Sequence, residues 1–139
     1  MSVMVENASS TKTKKGLPIL IIKNEPSIMT FLKSTLKRNG YNTICAKSAR
    51  DGLEILSEQQ VRGIVSNMRT PGGITGTDVH GWLTVHRPEL ARRILFITED
   101  TVNQETLNLL KKTGAPCIEK PFRVSQLMAT LIHVLGNNS

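Results

Sequence analysis

The sequence predicts a doubly wound α/β domain, a parallel five-stranded sheet held between two layers of helices. Three observations carry that expectation. From Leu17 onward, short branched-apolar runs alternate with amphipathic stretches at helical spacing. Proline marks a helix start and glycine marks helix stops at the junctions, and no segment repeats. Parallel strands joined by helices connect right-handedly, which puts helices on both faces and makes a three-layer sandwich. The 139 residues are enough for one domain with a sizeable core and not for two.

The elements follow in order. "LPILII" (17–22) is apolar on both faces, as a central strand of a parallel sheet must be. Pro26 suits a first helical turn; Ile28, Phe31, Leu32 and Leu36 then recur at helical spacing to about Asn39, and Gly40 stops the helix. "YNTICA" (41–46) alternates like a half-buried edge strand. Ser48 is the expected N-cap of a second helix, with Asp51 at capping-box spacing; Leu53 and Leu56 give its apolar face, Ile55 lies at the margin, and it ends near Gln60. "GIVSN" (63–67) is a third strand. Pro71, Gly72, Gly73 and Gly76 make a long loop, and Asp78 to His86 reads as a third helix. "RRILFIT" (92–98) is the fourth strand. Thr101 or Asn103 opens a fourth helix carrying Leu107, Leu109 and Leu110 and capped by Gly114. "PCIEK" (116–120) is a short fifth strand, and Val124, Leu127, Met128, Leu131, Ile132 and Leu135 stripe the last helix. The domain is expected over 17–136, after a disordered basic leader (1–16) and before a short tail (137–139).

Hydrophobic residues make up 39% and charged residues 21%, the balance of a soluble globular protein. No apolar run approaches the roughly 20 residues of a membrane span and the N-terminus lacks a signal-peptide core, so a cytoplasmic protein with no membrane partner is expected. Cys45 and Cys117 form no CxxC, and His80, His86 and His133 do not fall at metal-ligand spacings. Both cysteines are expected to be packing thiols on opposite sheet edges, beyond disulfide reach. The formal charge is +7, with Lys12, Lys14 and Lys15 in the leader and the rest scattered. With no nucleic-acid-reading motif beside them, solvated helix faces are favoured over a nucleic-acid surface.

In a sheet of order 2-1-3-4-5, the carboxyl ends of strands one, three, four and five converge on the crevice beside strand one, the usual working end. Those ends carry Lys23-Asn24-Glu25, Asn67, Thr98 and Lys120-Pro121. "KNEPS" is no phosphate-cradling Ser/Thr/Gly loop, which disfavours a flavin site.

Four stretches, "ILIIKNEPS", "SNMRTPGG", "ILFITED" and "GAPCIEKPF", stand in an order and spacing that resembles the receiver domain of two-component response regulators. The resemblance covers roughly residues 17–136, and its texture is similar to receivers of hybrid sensor kinases. It implies a flavodoxin-like fold and a bacterial signalling module that is not an enzyme. In that family two acids after strand one and an aspartate after strand three bind a divalent cation. The last aspartate takes the phosphoryl group, and a Ser or Thr and a Lys hold the phosphoryl oxygens. Carboxylates make a hard-oxygen site for Mg²⁺, and metal plus lysine neutralise the charge that develops in transfer.

Against that pattern Thr98 and Lys120 are retained, together with Pro121 after a peptide bond expected to be cis. Lys23 and Asn24 fall at the acid positions and Asn67 at the phosphoacceptor position. An amide is a poor nucleophile and gives no acyl phosphate. A lysine about 4 Å from a divalent ion is repelled by about 8 kcal/mol at an effective dielectric of about 20. Mg²⁺ binding is therefore expected to be lost or weak, no other cofactor is expected, and Glu25 alone makes a weak site. Two places are open to Lys23: pairing with Glu25 or hydrogen-bonding Asn67 where the metal would lie, or snorkelling to solvent. Cys117, where many receivers carry a switch aromatic, is too small for that switch. Trp82 is expected to pack, with a partner contact as the lesser alternative.

The leading expectation is a phosphorylation-independent module acting by protein contacts with a sensor kinase or another signalling protein. The resemblance places the contact, or a homodimer, on the face of the fourth helix, fifth strand and fifth helix, with Lys111, Lys112, Arg123 and Gln126. The alternative is an anion or phosphate ligand in the positive strand-end pocket. A third possibility is phosphorylation at Asp100 or Asp78. The chain runs out at "LGNNS", leaving a stand-alone receiver or a piece of a longer kinase.

Overall fold

The computed structural model describes residues 16–23, 25–68, 74–98, 104–120 and 122–136. Five strands, β1 (Ile19–Ile22), β2 (Thr43–Ala46), β3 (Gly63–Asn67), β4 (Ile94–Thr98) and β5 (Cys117–Glu119), form one sheet of order β2-β1-β3-β4-β5. Every pairing is parallel. All four residues of β1 are fully buried, as its central place requires.

Alternation along the strands divides the core. Ile19, Ile21, Val65, Leu95 and Ile97 pack with Leu32 and Leu36 of α1 (Pro26–Arg38) and Leu127 and Leu131 of α6 (Val124–Leu135). Leu20, Ile22, Ile64, Ile94 and Phe96 face the other way, onto Leu56 of α2 (Ala49–Glu58) and Val79 and Leu83 of α3 (Gly76–His86). Two apolar faces on one sheet demand two helical layers, so the expected sandwich is the one observed.

Helix ends obey local chemistry. After α1, the Tyr41 N–H donates to the Leu36 carbonyl and the Gly40 N–H to that of Lys37, the two bonds of a Schellman motif. Gly40 sits at φ +88°, where a side chain would be strained. Ser48 Oγ accepts from the Asp51 N–H, 3.1 Å, as expected. The third helix starts two residues before Asp78: Thr75 and Asp78 form a reciprocal capping box, and Gly76 opens the helix.

Six helical segments stand among the described residues where five were expected. Pro88 disfavours helical geometry at Arg87, which ends α3, and then begins the one-turn α4 (Pro88–Ala91). Arg87 Nη1 donates to the carbonyls of Leu56 (2.8 Å) and Gln59 (3.1 Å), tying this corner to the end of α2. Strands start later than the apolar runs suggest because Tyr41 belongs to the α1 cap and Arg93 closes the α4 turn onto Leu90. α5 (Gln104–Thr113) follows β4 and is stopped by Gly114 at φ +69°. The side chains of Leu107, Leu109 and Leu110 lie outside the described residues, as do the leader to residue 15, Pro71 to Gly73, Thr101, Asn103 and the tail. No helix among the described residues is long and apolar enough to cross a membrane.

Both cysteines are free thiols, on strands at opposite edges of the sheet. Burial, with a smaller push from Glu119, raises the Cys117 thiol to about 11; burial also raises Cys45, partly offset by Lys33. Cys117 is therefore expected to react with a disulfide reagent at pH 8 at least about tenfold more slowly than in urea, and Cys45 also more slowly, because the thiolate is the reactive form. Equal rates in native and unfolded protein would contradict this. Trp82 is half-buried against the α2/α3 core, its ring 4.6 Å from that of His86.

Candidate functional site

Four of the expected residues meet where the strands end. Lys23 continues β1 by one residue, its N–H donating to the Ala46 carbonyl at 3.1 Å. That backbone bond keeps it in line with the sheet and turns its side chain inward, where it is fully buried. An ammonium so placed needs partners, since transfer of an isolated charge out of water is prohibitive. Lys23 Nζ donates to Asn67 Oδ1, the last side chain of β3, at 3.1 Å. It also stands 3.7 Å from Glu25 Oε1. Snorkelling to solvent, one of the two places open to Lys23 in sequence, is thus not what the fold does.

Glu25 is the N-cap residue of α1, yet its side chain makes no cap hydrogen bond. The carboxylate reaches over the strand ends instead, and Oε1 accepts from Lys120 Nζ at 3.1 Å. One oxygen therefore bridges two ammoniums carried by β1 and the end of β5. The Lys120 N–H donates to the Thr98 carbonyl at 2.9 Å, extending the β4–β5 ladder by one step and fixing where the lysine stem begins. Thr98 itself is buried at the end of β4. Asn24 and Pro121, with the peptide bond before it, lie outside the described residues, as does Asp100.

The exposed half of the bridge is Glu25, 47% accessible, against none for Lys23 and 17% for Lys120. The Lys120 hydrogen bond and charge, followed by the Lys23 charge, hold the Glu25 carboxyl below its usual range. A carboxyl depressed by folding contributes stability above its unfolded pKa and loses it as pH falls through the folded value. Native protein and Glu25→Gln are therefore expected to differ in denaturation midpoint at neutral pH and to converge below about pH 4.5, the unfolded value. A gap that persists or widens in acid would show the assigned sign to be wrong. The effect is small, because the carboxylate is half in water.

Two features of the site have sequence signals that were passed over. Gly76 read as one glycine of a loop, but it opens α3 against the end of β3, its N–H donating to the Met68 carbonyl at 2.9 Å. A Cβ there would strike the Asn67 carbonyl oxygen. The Thr75-x-x-Asp78 spacing is the signal for that helix start. It also commits the Asp78 carboxylate, whose Oδ2 accepts from the Thr75 N–H at 2.8 Å. Ser66, buried beside Asn67, donates to the Asn67 carbonyl at 2.8 Å.

The cluster so assembled holds two ammoniums, one carboxylate and one amide. Among the described residues no group of three or more His, Cys, Asp and Glu side chains comes together. Such an arrangement can bind charge and hold three strand ends together, and it lacks the array of carboxylate oxygens a hard cation requires.

Comparisons with known proteins point one way. The model of the response regulator receiver domain family matches residues 19–132. The fold is similar to a receiver domain protein from Clostridium thermocellum at 22% identity and a TM-score of 0.75, over 88% of this chain and 96% of that one. It is also similar to the signal receiver domain of a signal transduction histidine kinase from Syntrophus aciditrophicus, at 24% identity and TM-score 0.77 over 86% and 90% of the two chains. The chemotaxis response regulator CheY4 of Vibrio cholerae matches at 25% identity and TM-score 0.74 over 86% and 98%. No curated protein matches the sequence. With its sheet order and a family match over most of its length, this chain belongs to the response regulator receiver domains of two-component signalling.

Proposed function

We propose that this receiver domain signals without being phosphorylated, through protein contacts whose geometry is set by a built-in ion network. The observation that carries this reading is the 3.1 Å bond from buried Lys23 to Asn67. In the family's pattern those positions belong to a metal-binding acid and the phosphorylated aspartate. Here a fixed ammonium and an amide occupy them, and neither an acyl phosphate nor a divalent site can form. The residues present do not fit Mg²⁺: the cluster's one carboxylate is shared between Lys23 and Lys120, and any cation would have to displace both. An anionic ligand in the same pocket would have to displace Glu25 from the same two ammoniums, which makes that alternative the weaker one.

Receiver domains interact with kinases and other signalling proteins, and a sensor kinase or comparable protein is the partner proposed here. The proposed contact or homodimer face is that of α5, β5 and α6, where Lys111, Lys112, Arg123 and Gln126 are exposed. Residues 17–136 form the proposed working unit, with 1–16 and 137–139 outside it.

Intact-mass spectrometry after incubation with acetyl phosphate and Mg²⁺ tests the reading. The native chain and Asn67→Asp are expected to take up no phosphoryl group, while Lys23→Asp/Asn24→Asp/Asn67→Asp is expected to take up one. Uptake by Asn67→Asp alone would make Asn67 the sole block. Uptake by the native chain would overturn the proposal.

A further inference from the structure

Beside α1, toward the amino-terminal end of β2, lies a cleft of about 480 Å³ whose walls, among the described residues, carry cations and hydroxyls and no carboxylate. Lys33 and Lys37 project into it from α1, with the hydroxyl-bearing Thr30 and Ser34 on the same helix and Thr43 across from them on β2. Residues four apart share a helix face with Cβ atoms about 6 Å apart, so the two ammoniums repel each other. Neither has a hydrogen-bond or ion-pair partner among the described residues. Tyr41 closes one wall, and the Arg62 guanidinium lies 5.1 Å from its ring centroid, which brings a third positive charge beside the cleft.

Like charges on one face are ordinary on a solvated helix. This pair differs in facing a concavity with hydroxyls on both walls, of a size within the range of about 300–1,000 Å³ typical of small-ligand sites. A bridging anion with charge on two centres would relieve the repulsion, and the hydroxyls would supply donors around it. A diphosphate presents one phosphoryl group to each ammonium, matching two charges with two.

We propose that this cleft binds a phosphate-bearing small molecule, a diphosphate or a nucleoside polyphosphate, through Lys33 and Lys37. The site is separate from the strand-end cluster and does not depend on whether the domain is phosphorylated.

Isothermal titration calorimetry of the full chain at low ionic strength tests it, with pyrophosphate, ATP and inorganic phosphate as probes. One saturable site is expected for pyrophosphate and ATP, each tighter than inorganic phosphate. Lys33→Gln and Lys37→Gln should each weaken it about tenfold, the loss of one charge-assisted contact. Both lysines are exposed and glutamine keeps the helix, so the variants should fold. Lys120→Gln and Lys111→Gln should bind as the native chain does. ATP tighter than pyrophosphate would add a contact to the nucleoside; equal affinities would make the diphosphate the whole ligand. The proposal fails if no probe gives saturable heat. It fails equally if Lys120→Gln abolishes binding, which places the anion at the strand ends, or if Lys111→Gln weakens it as much as Lys37→Gln, which is diffuse attraction to a basic protein.

Discussion

Replacing Lys23 by alanine is expected to lower the unfolding free energy by about 3 kcal/mol, and replacing it by methionine by about 1 kcal/mol. Lys23 is fully buried, so alanine removes a long stem from a packed position and leaves a void beneath the strand ends. It also strips Asn67 Oδ1 of its donor. Methionine refills most of that volume without bringing a charge that must be matched. Asn67 is only half-buried, so water can replace the lost donor, and Glu25 keeps Lys120. Denaturant midpoints at constant m-value measure both changes. If methionine proves as damaging as alanine, the charge and not the packed stem is what the fold needs. If alanine is harmless, Lys23 is not buried in solution.

Gly76→Ala is expected to cost about 3 kcal/mol or more, from overpacking against a backbone atom that cannot rotate away. The added Cβ would meet the Asn67 carbonyl oxygen, with Phe96 Cε1 and Ser66 Oγ each at 2.9 Å. The two side chains could give way; the carbonyl could not without pulling the end of β3 out of line or lifting the first turn of α3. The same change at Gly81, with nothing within 4 Å and an exposed place on α3, is expected to stabilise by about 0.5–1 kcal/mol by the gain in helix propensity. Similar effects at the two glycines would show that the end of β3 has room for a side chain at position 76. The two largest expected losses thus surround one atom group, the Asn67 residue, held by Lys23 on its side chain and roofed by Gly76 at its carbonyl.

Most of the fold was legible in the sequence because its signals are local. Short branched-apolar runs mark strands, Pro26 and Gly40 bracket a helix, and Ser48 caps the next, the helix ends through bonds spanning a few residues. The misread parts were local conflicts. Pro88 both ends one helix and begins another, which a search for one helix between two strands does not see. Thr75 and Asp78 were overshadowed by the glycines before them.

The sequence by itself determined the doubly wound class through its alternation of strands and helices, the two-faced burial of β1, and which residues would stand at the strand ends; the strand order β2-β1-β3-β4-β5 is what the family resemblance implied and the fold shows. It also names the lysine and the two amides at the strand ends, since Lys23, Asn24 and Asn67 can be read off the chain wherever they point. Only the tertiary structure decided where the Lys23 ammonium goes. Its partner Asn67 is 44 residues away and the Lys120–Glu25 bond spans 95, so neither contact has a local signature. A lysine after a strand can reach water or turn inward with equal ease. Here the Ala46 bond holds the Lys23 backbone in the sheet, its side chain is buried, and the fold sets an amide and a carboxylate within reach of the ammonium. Burial of a charge is decided by what the rest of the fold places around it.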